Sequence, residues 1–177
     1  MITDGNCISM SNTNIQYYWA VATVYDGVVD MSLCNKVADE IKNNSELLTG
    51  VVTNADPKDT KYKFCESNAV DHQDLINHLF SHLIIDDPKS TYAVRYHEME
   101  EGGCMAWHDD SKYKCSFSIY LSDCIGGELQ VMSPSGNESI VLAPITGRCV
   151  RLERDVTHCV LDVEEGVRRS LQIFEKR

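Results

Sequence analysis

The sequence has no run of about 18 apolar residues, the least that a membrane-crossing helix needs, although 43% of its 177 residues are apolar. It therefore has no expected membrane span. The first residues, MITDGNCISMSNTNIQ, lack a basic stretch followed by an apolar one, so they do not read as a secretory signal but as a polar lead-in. Eight cysteines (7, 34, 65, 104, 115, 124, 149 and 159) include no C-x-x-C pair and no zinc spacing. Reduced thiols in a cytoplasmic compartment, several packed as small core residues, are the expectation. Basic residues are few, 16 Lys and Arg against 27 Asp and Glu, for a net charge of −11. Such a field repels a phosphate backbone, so nucleic acid is disfavoured as a partner and a neutral or basic substrate is favoured. Arg148, Arg151 and Arg154 are a local basic cluster best read as a solvated strand face. No repeat, low-complexity block or linker interrupts the chain, and its length suits one domain over 1–177.

The N-terminal half reads as supporting structure. Tyr17 to Tyr25 is apolar and aromatic, as a strand would be. Ser32 to Leu48 has helical spacing, with Ser32 a candidate N-cap. Residues 54–67 read as loop with a short strand near Tyr62 to Phe64. A second helix is expected over Asp71 to Ile85, capped by Asp71, with Leu75, Ile76, Leu79, Phe80 and Leu83 as one stripe. From residue 90 short strands separated by turns take over: 90–98, 106–110, 114–122, 126–133, 138–143, 147–153, 157–163 and 168–175. Eight strands in this span fit a mainly β, double-sheet jelly roll of the cupin kind.

The chemistry is concentrated in this second half. His108 and Asp110 form H-x-D, and His158 follows 50 residues after His108. On a strand, residues i and i+2 share a face, so His108 and Asp110 converge while Asp109 points away. Two imidazoles and one carboxylate, all from the protein, leave coordination positions open, as in non-haem Fe(II) oxygenases. A structural zinc needs four protein ligands, so an open site argues for chemistry. His78 and His82 stand four apart on the second expected helix, but no Glu lies between them as a metalloprotease requires. They, His72 and His97 read as surface or capping histidines.

The segment from His158 to Ser170 reads H-x-V-x-x-V-x-x-G-x-R-x-S. Together with H-x-D this resembles the 2-oxoglutarate and Fe(II)-dependent dioxygenases, in particular the prolyl 4-hydroxylase-like branch, from Tyr92 to Phe174. The resemblance implies a double-stranded β-helix over 90–177 braced by a strand and helices from 1–89. It implies Fe(II) on His108, Asp110 and His158, with 2-oxoglutarate as cosubstrate, O2 as oxidant and ascorbate as a candidate reductant. It also implies that Arg168 holds the distal carboxylate of 2-oxoglutarate, helped by Ser170 on the same strand face. Arg169 faces the other way. Tyr120, in Ser118-Ile119-Tyr120-Leu121, matches the Tyr whose hydroxyl reaches the same carboxylate. Tyr96 matches a family Y-x-x-G with stretched spacing. Gly126-Gly127-Glu128-Leu129 matches G-G-x-L, with Leu129 lining the pocket or the core. Trp107 is expected in the core, and segments 52–66 and 98–106 as candidate lids. The implied reaction is hydroxylation of an unactivated C–H bond, coupled to conversion of 2-oxoglutarate to succinate. A prolyl residue in a peptide or protein is the favoured substrate. A free amino acid or other small molecule is the first alternative, a nucleobase repair enzyme the second, and a non-catalytic cupin-like binding module the third. The oligomeric state is open.

Overall fold

A computed structural model describes residues 14–46, 48, 49, 62–66 and 72–177. The first aromatic stretch forms a hairpin rather than one strand: β1 (Asn14–Tyr18) pairs antiparallel with β2 (Ala22–Asp26). The chain reverses at Trp19 and Ala20, both at positive φ, with the Val21 amide donating to the Tyr18 carbonyl at 3.0 Å. No Gly, Asn or Pro marks this turn, so the pattern of residue types carried no sign of it.

Helix α1 (Met31–Asn44) buries Cys34, Val37, Ala38 and Ile41 at the spacing of one helical stripe. Its N-cap is Asp30, not Ser32: the Asp30 carboxylate accepts from the amides of Ser32 and Leu33 at 2.9 and 3.2 Å. The helix stops four residues before the expected Leu48, which instead opens β3 (Leu48–Thr49) beside β4 (Tyr62–Glu66). Helix α2 (Gln73–Ser81) buries Leu75, Ile76 and Leu79. Its expected cap, Asp71, lies outside the described residues. The expected continuation to Ile85 fails because Leu83 takes a positive φ of 57°. There the Leu83 and Ile84 amides turn back onto the carbonyls of Phe80 and Leu79, closing a Schellman motif with leucine where glycine is usual. Leu83 and Phe80 therefore point to solvent, while Ile84 and Ile85 are buried.

The rest is strand. An eight-stranded sheet runs β1-β2-β11-β7-β14-β5-β4-β3, with β5 Tyr92–Met99, β7 Cys115–Tyr120, β11 Cys149–Glu153 and β14 Arg168–Glu175. Facing it is a four-stranded sheet ordered β10-β9-β12-β6, with β6 Met105–His108, β9 Leu129–Met132, β10 Ser139–Leu142 and β12 His158–Val160. A short pair joins β8 (Ile125–Gly126) to β13 (Val163–Glu165). The expected strands 126–133 and 157–163 are thus each split in two. The break follows Gly126 and Gly127, both at positive φ, where the chain passes from the short pair to the four-stranded sheet.

Strand alternation sorts the large sheet into two faces. Val94, Tyr96, Ile119, Leu171 and Ile173 face outward and form one core with α1 and α2. The inward face meets the smaller sheet through Met99, Tyr120, Leu129, Val131 and Val160. The result is a double-stranded β-helix, with its helices covering the outer face of the larger sheet.

Candidate active site

His108 closes β6 and His158 opens β12, and the two are directly paired across the strands. Their ring centroids lie 4.2 Å apart. In each ring Nδ1 sits against the backbone carbonyl two residues earlier, 2.8 Å to Ala106 for His108 and 2.9 Å to Val156 for His158. A carbonyl only accepts, so Nδ1 carries the proton in both and Nε2 is left with its lone pair. Burial, followed by the neighbouring His108, lowers the His158 pKa to about 4, so the ring is neutral near pH 7. An Asp110 carboxylate oxygen lies 3.8 Å from His158 Nε2. One donor atom from each of His108, Asp110 and His158 falls within 4.8 Å of the others, and no other such group of three occurs among the described residues.

The expected convergence is there, but strand alternation is not its cause. β6 ends at His108, and Asp110 stands beyond it. A turn places it instead, closed by the Tyr113 amide on the Asp110 carbonyl at 2.9 Å. Asp109 is exposed and accepts from the Ser111 amide at 3.0 Å, which steadies the same turn. His78 and His82 have ring centroids 4.4 Å apart, but His78 Nε2 accepts from the Asp30 amide at 3.0 Å and joins the two helices.

The three donors line a cavity of about 290 Å³ that Arg168 also lines. Arg168 is 2% exposed, yet no ion pair joins it to a carboxylate among the described residues. Its Nε donates to the Gly127 carbonyl at 2.9 Å, and its guanidinium carbon lies 4.9 Å from the centre of the Tyr120 ring. The glycine pair makes this approach possible. A Cβ on Gly127 would lie 3.0 Å from Arg168 Cδ, and one on Gly126 only 2.3 Å from the Asp162 carbonyl oxygen. The buried Tyr120 hydroxyl stands beside Arg168 and has no other hydrogen-bond partner among the described residues. Ser170 is paired across the strands with Tyr120, and its hydroxyl accepts from the Gln172 amide at 3.0 Å. Leu129 belongs both to the cavity wall and to the core.

Tyr96 is not brought to the cavity. It points outward from β5 into the core beneath α1, and its hydroxyl donates to Glu98 at 2.6 Å. Its neighbour His97 takes the inward face instead. His97 is buried rather than at the surface, hydrogen-bonded to the Tyr62 hydroxyl at 3.0 Å, and burial holds its pKa well below the usual imidazole range. Arg95, Phe64 and Phe174 share this cavity. The inward parity of Arg95 and His97 follows from the pairing of β5 with β14, where His97 lies opposite Ser170 and Arg95 opposite Gln172, a register that the sequence does not record. Trp107, expected in the core, is 43% exposed. Of the proposed lids, residues 52–61 lie outside the described residues and 62–66 are the strand β4. The seven described cysteines are free thiols, six of them buried; Cys7 lies outside the described residues. Arg148, Arg151 and Arg154 are each ion-paired within the fold, to Asp26, to Asp86 and Glu153, and to Asp155.

The donor set suits a divalent metal with open positions, since two neutral imidazoles and one carboxylate are the ligands an Fe(II) oxygenase uses. The buried guanidinium, joined to no carboxylate, and the tyrosine hydroxyl beside it suit the carboxylate of a small diacid. The sequence is similar to known proteins in the same sense. Residues 93–175 match the 2OG-Fe(II) oxygenase superfamily. No curated protein sequence matches. A prolyl-4-hydroxylase from Pseudomonas putida has a similar structure, with a TM-score of 0.68 at 18% identity over 88% of this chain and 92% of that one. A prolyl hydroxylase from Trichoplax adhaerens, in complex with a hypoxia inducible factor peptide fragment, gives 0.67 at 12% identity over 88% and 83%. The non-heme alpha ketoglutarate dependent epimerase SnoN, from nogalamycin biosynthesis, gives 0.65 at 12% identity over 88% and 77%. Residues 93–175 are therefore those of an enzyme of the 2OG-Fe(II) oxygenase superfamily, on a fold shared with the prolyl 4-hydroxylases.

Proposed function

We propose that this oxygenase hydroxylates a prolyl residue within a peptide or protein, with His108, Asp110 and His158 holding Fe(II) and Arg168 holding 2-oxoglutarate. The observation that carries the reading is the placement of three convergent donors and one buried, unpaired arginine on the walls of a single cavity. The bound metal and cosubstrate supply the oxidising power for C–H hydroxylation.

The protein's own part is binding and orientation. The carbonyls of Ala106 and Val156 hold each imidazole with Nε2 unprotonated and turned to the metal position. Arg168, itself oriented by the Gly127 carbonyl, pairs with the distal carboxylate of 2-oxoglutarate. Tyr120, on the neighbouring strand, and Ser170, on the same one, are buried behind Arg168 rather than on the cavity wall, and would support the same carboxylate from there. Leu129 and Val160 keep water from it.

The prolyl substrate is supported by the resemblance of the motifs and by the two prolyl hydroxylases of similar fold; SnoN shows that the fold also serves a different substrate. The test is succinate release from 2-oxoglutarate with Fe(II) and ascorbate, using proline-containing peptides against free amino acids. Mass spectrometry should show one oxygen gained on proline. Stimulation by free amino acids and by no peptide would replace the prolyl reading with the small-molecule one.

A further inference from the structure

One wall of the cavity is built by Phe64, Arg95 and Phe174, to which the function proposed above gives no role. Arg95 sits on the inward face of β5, with its guanidinium carbon 5.7 Å from the Phe64 ring centre and 5.2 Å from that of Phe174. Phe174 in turn stacks on Tyr113 at 4.5 Å. The rings flank the guanidinium, so hydrogen bonding is left to its edge, where its N–H groups form a planar fork. Nε is taken by Glu66, at 2.7 Å. Nη2 makes one long contact with the Tyr113 hydroxyl at 3.4 Å, and Nη1 makes no hydrogen bond among the described residues. Arg95 lines the cavity, so these remaining N–H groups are the ones left to meet a ligand there.

Glu66 decides what kind of ligand that is. Its carboxylate already balances the charge of Arg95. A second carboxylate on the fork would stand close to Glu66 and be repelled, whereas an uncharged acceptor would not. We infer that Arg95 is a specificity-determining residue that binds a backbone carbonyl of the substrate, so that the cavity takes a residue embedded in a peptide in preference to a free amino acid. This rests on the reading that the substrate enters this cavity, but not on the substrate residue being proline.

Binding to the Fe(II)- and 2-oxoglutarate-loaded protein under argon tests it without turnover. The probes are acetyl-Ala-Pro-Ala-amide, acetyl-Ala-Ala-Ala-amide and free L-proline. The capped proline peptide should bind at least ten-fold more tightly than free proline. Arg95→Met should weaken capped-peptide binding at least ten-fold while leaving 2-oxoglutarate affinity and thermal stability within two-fold and a few degrees, and Arg95→Lys should recover part of the loss. If both capped peptides bind alike and both depend on Arg95, the carbonyl contact stands and the prolyl reading falls. Equal binding of free proline, unchanged capped-peptide binding in Arg95→Met, or no binding of any probe to the wild type overturns the inference about Arg95. The Arg95–Glu66 ion pair also joins β5 to β4; a loss of 2-oxoglutarate affinity in parallel with peptide affinity would assign Arg95 that structural role and likewise overturn it.

Discussion

The same local device orients both histidines of the candidate metal site: a backbone carbonyl two residues back accepts from Nδ1. Orientation by backbone leaves little for other side chains to do, so the effect of substitution should be concentrated in the donors themselves. Replacing His108, Asp110 or His158 with Ala should abolish iron-dependent succinate formation, while Asp109→Ala retains most of it, because exposed Asp109 lies at the cavity rim, steadies the turn and is not among the three converging donors. A dead Asp109→Ala enzyme with its fold intact would reassign the ligand. The carboxylate site is as sharply divided. Arg168 is buried against the cavity, whereas Arg169 is exposed beside Glu98 at 3.6 Å. Removing one partner of a buried charge pair costs about 2–5 kcal/mol. Arg168→Ala should therefore raise the dissociation constant for 2-oxoglutarate at least ~30-fold, and Arg169→Ala should leave it nearly unchanged. Calorimetric titration of both variants checks this.

Between β8 and β9 the chain depends on two glycines that do different things. At Gly126 an added Cβ meets backbone, which cannot step aside. Gly126→Ala should cost about 2 kcal/mol or more of stability, since about 1 kcal/mol attaches to the positive φ alone and the contact adds to it. At Gly127 the added Cβ meets the stem of Arg168 at 3.0 Å, and a side chain can move. Gly127→Ala should thus act chiefly on 2-oxoglutarate affinity, through a displaced Arg168. Equal loss of melting temperature in the two variants, without a change in cosubstrate binding, would refute that division. At the start of α1, Asp30→Ala removes two amide contacts and should cost about 1 kcal/mol, with Ser32→Ala nearly neutral. Denaturant midpoints at constant slope would show it.

Taken whole, the fold buries two imidazoles, His97 and His158, in neutral form. The folded chain releases the His158 proton with a pKa of about 4, against 6.5 when the group is unperturbed. Protons are therefore taken up on unfolding at pH values between these, and stability falls as the pH drops. His97 shifts in the same direction and adds to the effect. The metal-free protein should hold its full stability from these groups above pH 6.5 and lose it progressively toward pH 4. Melting temperatures in matched buffers between pH 7.5 and 4.5 test this, and an unchanged value would mean that the rings bind protons equally in the folded and unfolded states. The net charge of −11 is likewise a property of the whole surface that does not describe the cavity. Its walls carry Arg95, Lys112 and Arg168 beside Asp109 and Asp110, so the average field says little about what binds there.

By itself, the sequence determined the jelly-roll architecture, and it singled out His108, Asp110, His158 and Arg168, which the fold brings to one cavity. The reason is that residue types at set spacings leave local marks: H-x-D, a distal His, and R-x-S at a set distance. It also determined which face of β14 carries Arg168. The tertiary structure decided what depends on how distant segments pair. It ended β6 at His108 and gave Asp110 to a turn. It turned Tyr96 outward under α1 and His97 inward, because the register of β5 against β14 is set by contacts some seventy residues apart in sequence, which no local pattern records. It folded Trp19 and Leu83 into left-handed turns that their residue types oppose, since the burial of neighbouring strands and helices outweighs about 1 kcal/mol of local strain. And it brought Phe64, Arg95 and Phe174 from three strands to one wall, a grouping that exists only once the sheet is assembled.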